Sequence, residues 1–172
     1  MDDEDVGRPG VVEERVKREA YWDGGFTGNP ALFPLFYRTR TPDIVIIHIN
    51  PLYRDELPRT SSEIMTRINE ISFNASLLRE LRNIDFVNRL IDRGIIAPDT
   101  MRYNHVHSVS DDRLMNQLGI VTKMTISRTL LLQLKDAGRA AMEDFLAKDR
   151  DKLGRRSSVD LRAIFTSAGS AV

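Results

Sequence analysis

The chain has 172 residues, with 25 basic and 25 acidic side chains and no cysteine. A formal charge of zero excludes the broad basic surface by which proteins hold nucleic acid, and the lack of cysteine excludes disulfides and thiolate metal sites. The length, the 41% hydrophobic content and the 29% charged content fit one domain, or one domain with an appendage, that buries a core of its own.

In chain order, residues 1–19 are charged and carry Gly7, Pro9 and Gly10; they read as a disordered segment. Asp23-Gly24-Gly25-Phe26-Thr27-Gly28-Asn29-Pro30 then reads as a carboxylate, a turn and a helix start. Glycine tolerates positive φ and admits close approach, so Asp23 is expected on a tight, uncrowded turn shaped by Gly24 and Gly25. Asn29 suits an N-cap and Pro30 the first helical position. An α/β enzyme holds an acid or base at the mouth of a cleft in this way, although Asp-Gly-Gly alone is also a common surface turn. Ala31 to Tyr37 is expected to form a short helix interrupted by Pro34. Ile44 to Ile49 is an apolar run rich in β-branched residues, the pattern of a strand buried on both faces in a parallel sheet. His48 inside it reads as a core histidine with a hydrogen-bond partner.

Thr60-Ser61-Ser62-Glu63 is a capping-box pattern. It opens a helix from Ser61 to Arg82 whose apolar stripe is Ile64, Ile68, Ile71, Ala75 and Leu78. A shorter continuation, Phe86 to Arg93, stops at Gly94. Asn69, Glu70 and Asn74 read as exposed or as partners of neighbouring backbone. Tyr103 to Val109 alternates as a strand does, with His105 and His107 on one face. Two histidines without a third ligand do not make a zinc site, so no metal is expected. Ser127 to Lys152 is a helix in which Leu130, Leu131, Leu134, Ala137, Ala141, Met142, Phe145 and Leu146 recur at helical spacing, with Gly154 as its stop. Its polar face mixes both signs, whereas a membrane-surface helix is mainly basic, so it is expected to dock on the domain's own core. Residues 166–172 read as a flexible tail.

Five stretches, in order, carry a family likeness: Tyr21-Trp22-Asp23-Gly24-Gly25; Gly28-Asn29-Pro30-Ala31; Thr41-Pro42-Asp43-Ile44-Val45-Ile46-Ile47-His48-Ile49-Asn50-Pro51; Arg67-Ile68-Asn69-Glu70-Ile71-Ser72-Phe73-Asn74; and Gly154-Arg155-Arg156-Ser157-Ser158-Val159-Asp160-Leu161. Together they resemble the bacterial patatin-like phospholipases over residues 20 to 162. The resemblance implies an α/β fold, with residues 20–109 as the C-terminal part of a patatin-like three-layer domain with few strands and residues 110–165 as a mainly helical extension. It also implies hydrolysis of a phospholipid or other fatty-acyl ester through a Ser–Asp dyad, with no cofactor. By that resemblance Asp23 is the dyad aspartate, and Gly24 and Gly25 support its turn.

The family's nucleophile sits in a Gly-x-Ser-x-Gly elbow, and none occurs in these 172 residues. The nearest stretch, Phe165-Thr166-Ser167-Ala168-Gly169, lacks the first glycine and the strand that an elbow requires. The early glycine-rich oxyanion loop is missing too. The expectation is a fragment that is inactive alone. A truncated or mis-started reading frame, a cut chain, or a split hydrolase whose serine half lies on a separate polypeptide would each produce it. The alternative from another class is a non-catalytic helical interaction or regulatory module, which requires the 44–49 strand to be covered on both faces within this chain. No apolar run approaches the roughly 20 residues that span a bilayer, and Met1-Asp2-Asp3-Glu4-Asp5 is unlike a signal peptide. A cytoplasmic protein is expected, with any lipid contact peripheral.

Overall fold

Two short parallel strands, joined by one long helix, organise this mixed α/β chain. The structure is a computed structural model that describes residues 20, 21, 23–26, 28–54, 56–97, 99–119 and 127–169. The segment 1–19, expected to be disordered, lies outside the described residues, as do 170–172. A 3₁₀ turn (Gly24–Phe26) precedes α1 (Phe33–Arg38), β1 (Asp43–Ile47), α2 (Ser61–Asp92), β2 (His105–Val109), α3 (Asp112–Gln117) and α4 (Arg128–Asp149). A second 3₁₀ turn (Arg150–Lys152) and α5 (Leu161–Gly169) follow.

β1 and β2 pair in parallel, from Asp43 opposite His105 to Ile47 opposite Val109. Parallel neighbours need a long crossover, and α2 supplies it. The core gathers Ile44 and Ile46 from β1, Val106 from β2, Leu77, Leu81 and Ile84 from α2, and Leu161 from α5. β1 departs from expectation. Only one of its faces is covered: Ile44 and Ile46 are buried, while Val45 is 44% and Ile47 65% exposed. The apolar run predicts a strand sandwiched between two layers, and the described residues supply one.

α2 is a single helix of 32 residues, about 48 Å long at 1.5 Å per residue, with no break between Arg82 and Phe86. Its start matches the capping box: the Thr60 hydroxyl accepts the Glu63 N–H at 3.2 Å, and the Glu63 carboxylate accepts the Thr60 N–H at 3.0 Å. Its stop is Gly94, in the left-handed region at φ 68°. The face it buries is not the expected one. Ile64, Ile68 and Ile71 are exposed, and the inward face carries Thr66, Glu70 and Asn74 before turning apolar at Leu77 and Leu81.

Those polar residues are buried because each has a partner. Glu70 receives two parallel hydrogen bonds from Arg54, at 2.7 and 2.8 Å, and Arg54 also donates to the Asn116 carbonyl at 3.1 Å. The Asn74 amide donates to the Pro51 carbonyl at 2.8 Å. Near the far end, Asn88 clasps the backbone of Asn104, donating to its carbonyl at 2.8 Å and accepting its N–H at 3.0 Å. One helix thus fixes the loop after β1 and the entry to β2.

The N-terminal segment also departs from its expected form. The helix after the Asp-Gly-Gly turn starts at Phe33, with Pro34 in its first turn rather than interrupting it. Asn29 and Pro30 are joined by a cis peptide ahead of the helix, so they are neither its cap nor its first residue. At the C-terminal side, the Ser158 N–H donates to the Val106 carbonyl and the Val106 N–H to the Ser157 hydroxyl, so this segment lies along β2. α5 continues to Gly169, across residues expected to be a flexible tail. Among the described residues no helix is long and apolar enough to cross a membrane.

Candidate functional site

Asp23 is exposed, and its Oδ1 accepts the Gly25 N–H at 2.7 Å, closing a side-chain turn. The Gly28 N–H donates to the Gly24 carbonyl at 3.0 Å, which closes the following turn. Positive φ plays no part in either, because among the described residues the left-handed glycines are Gly94 and Gly154. The reason for glycine differs between the two positions. A Cβ at Gly25 would stand 3.1 Å from both Asp23 Oδ1 and the Phe73 ring, whereas a Cβ at Gly24 would meet nothing within 4 Å. Gly25 is therefore the residue that lets the carboxylate fold back over the turn.

Two shallow cavities lie nearby, one of them against this turn. One, of about 580 Å³, has Gly24 and Gly28 on one wall and Ser76, Arg79 and Asn83 of α2 on the other. The second, of about 370 Å³, runs along β1 between Pro30, Leu35, Ile47, Ile49 and Phe73. Phe73, which lines the β1 cavity, would also meet a Cβ at Gly25. A larger cavity, about 960 Å³, lies elsewhere, at the start of α2. Two of its charged groups are already engaged, Arg54 with Glu70 and Glu63 with the Arg59 and Thr60 N–H groups. It offers no reactive pair, so the Asp23 turn is the better candidate despite its smaller cavities.

The three histidines make separate contacts. His107 is fully buried, with Nε2 3.0 Å from Asp43 Oδ1 and its ring edge-on to Phe145 of α4 at 6.1 Å. His105, two residues away, packs against the Tyr103 ring at 5.3 Å. His48, just past β1, is half-buried and donates its backbone N–H to the Val109 carbonyl. Burial pushes its imidazole below the ordinary 6.5, with Asp112 pulling the other way. No three His, Cys, Asp or Glu side chains converge to hold a metal ion among the described residues.

The Asp43 cluster is one that sequence reasoning missed. Its carboxylate accepts the Gly154 N–H at 2.9 and 3.0 Å and the Thr41 hydroxyl at 3.1 Å, besides meeting His107. Burial pushes the Asp43 carboxyl up, but the hydrogen bonds from Gly154, His107 and Thr41 outweigh it and hold its pKa below the ordinary 3.8. Nothing local joins Asp43 and Gly154, because 111 residues separate them in the chain.

No known protein family, curated protein or solved structure matches the chain.

Proposed function

We propose that residues 20–162 are the C-terminal part of a patatin-like lipid acyl hydrolase, with Asp23 as the base of a Ser–Asp dyad whose serine lies outside these 172 residues. The observation that carries this reading is the surface around the turn. An exposed carboxylate is folded back on Gly25, and Phe73 beside that glycine lines a cavity along β1 whose outer face, at Val45 and Ile47, is apolar and uncovered. A sheet that parallel and that apolar is stable under protein on both sides. The missing serine half would provide that cover and complete the site in one step.

The chemistry assigned to the completed site is acyl transfer. A carboxylate takes the proton of a serine hydroxyl when it is held within hydrogen-bond reach and shielded from water. The Gly25 N–H fixes Oδ1, and Oδ2 is then the oxygen that receives the proton as the serine attacks the acyl carbonyl. The protonated carboxyl returns that proton to the departing alcohol. Water, deprotonated by the same carboxylate, then releases the fatty acid from the serine. Backbone N–H groups of the missing loop would hold the oxyanion, and losing one such donor costs roughly 10²–10³ in rate. With Asp23 exposed and no Gly-x-Ser-x-Gly elbow in the sequence, the chain alone is expected to be inert.

The test uses a short-chain nitrophenyl ester. The purified chain should not turn it over, and the chain co-purified with a polypeptide carrying the Gly-x-Ser-x-Gly elbow should. Asp23→Asn should then abolish the complemented activity. Robust hydrolysis by the chain alone, lost on Asp23→Asn, would refute the claim of incompleteness. Complemented hydrolysis that survives Asp23→Asn would remove Asp23 from the reaction.

A further inference from the structure

α4 presents two apolar faces, and only one of them points at the rest of the chain. At 100° per residue, Leu130, Leu134, Ala137, Ala141 and Phe145 share one side, and all are half-buried or buried. Leu131, Leu132, Lys135, Arg139 and Leu146 share another side, and all are exposed; Leu131 is 57% and Leu146 44% accessible. The sequence reading merges the two sets into a single core-facing stripe. The structure separates them.

The charges on α4 are unevenly distributed. Its first half carries Arg128 and Lys135 against Asp136, and its second half carries Glu143, Asp144 and Asp149 against Arg139 and Lys148. A parallel copy would set like charge over like. An antiparallel copy sets the basic half over the acidic half, and it also opposes the helix dipoles. The two requirements meet in one register. Leu131 and Leu146 are equidistant from the midpoint between Gly138 and Arg139, and so are Arg128 and Asp149. Lys135 then falls within one residue of Glu143. At the midpoint Gly138 is exposed, and a Cβ there would meet nothing within 4 Å, so two backbones have room to approach. Asp144 already meets Lys148 in an accessible pair, and such pairs are weak and can exchange partners, while the half-buried Asp149 meets Lys152.

We propose that α4 is a self-association helix, and that its outer face pairs antiparallel with α4 of a second copy of this chain. The inference does not rest on the dyad reading and applies to the chain as it stands. A seam of one 22-residue helix, broken by Lys135 and Arg139, falls among small, transient interfaces.

The chain has no cysteine, so single cysteines report proximity cleanly. Gly138→Cys lies near the two-fold axis and should oxidise to a disulfide-linked dimer. Leu131→Cys should not, because two copies of that position lie about 22 Å apart along antiparallel helices, far beyond the roughly 7 Å Cα limit of a disulfide. Mixing Leu131→Cys with Leu146→Cys should restore cross-linking. A second measurement does not depend on any one variant. K135E/R139E and E143K/D144K should each sediment as monomers, and a 1:1 mixture of the two should sediment as a dimer. Efficient self-cross-linking of Leu131→Cys would overturn the antiparallel arrangement. A wild-type chain that stays monomeric at high concentration would overturn self-association altogether. So would dimerisation abolished by Ile47→Lys on β1 but untouched by either charge variant, or a monomer whose α4 docks on anionic vesicles instead.

Discussion

Asp43 opens the first strand, yet it binds three separate parts of the chain. Its carboxylate takes hydrogen bonds from Thr41, from the Gly154 backbone and from the buried His107. Those bonds lower its pKa against the opposing push of burial. A carboxyl whose folded pKa lies below its unfolded value contributes stability that is fully present above the ordinary 3.8 and fades as pH falls through the lower folded value. His48 acts in a higher window. Burial lowers its pKa against Asp112, so on acidification the unfolded chain takes up that proton first, and stability begins to fall as pH drops below the ordinary 6.5. Urea midpoints measured from neutral to strongly acidic pH should therefore fall in two stages. His48→Gln should flatten the upper stage and Asp43→Asn the lower one. An Asp43→Asn chain with the wild-type profile below about pH 4 would show that the carboxylate's charge contributes nothing.

α2 shows which features of an element are legible in sequence. Its start and stop are local: a hydroxyl and a carboxylate three residues apart at Thr60 and Glu63, and a glycine at position 94. Both were readable, as was the start of α4, whereas α4 itself ends at Asp149 and Gly154 follows the 3₁₀ turn beyond it. The buried face was not, because polarity pointed the wrong way. Glu70 is 3% exposed, since Arg54, 16 residues earlier, reaches it with two hydrogen bonds. Asn88 is buried because it completes the backbone of Asn104. Periodicity records hydrophobicity, and these positions are inward through pairing. The Asp23 turn was legible as a carboxylate followed by glycines; what set Gly25 apart from Gly24 was Phe73, a contact 48 positions away that no spacing rule reveals. Removing one member of a buried pair strands the other. Arg54→Met should therefore destabilise the chain by about 3 kcal/mol and Glu70→Leu by a similar amount, while the double variant should recover at least half of the summed loss. Simple additivity in a double-mutant cycle would mean that the two side chains act independently.

At the scale of the whole molecule, two apolar surfaces of the described residues lack cover besides the outer face of α4. The outer face of β1 carries Val45 and Ile47, and the outer stripe of α2 carries Ile64, Ile68 and Ile71. Isolated exposed hydrophobes are ordinary, but contiguous ones mark an interface or an aggregation hazard, and an apolar edge strand without lysine or proline invites pairing. Ile47→Lys combined with Ile68→Glu should raise the soluble yield and leave the unfolding free energy from urea titration within about 0.5 kcal/mol, the usual range for substitutions that break no native contact. The same double variant separates two meanings of the exposed surface. If these faces await the serine half of a hydrolase, the variant should fold normally, fail to co-purify with that half, and show no complemented ester hydrolysis although Asp23 is intact. If it complements as well as the wild type, the surfaces are incidental, and the missing nucleophile must reach Asp23 by another route.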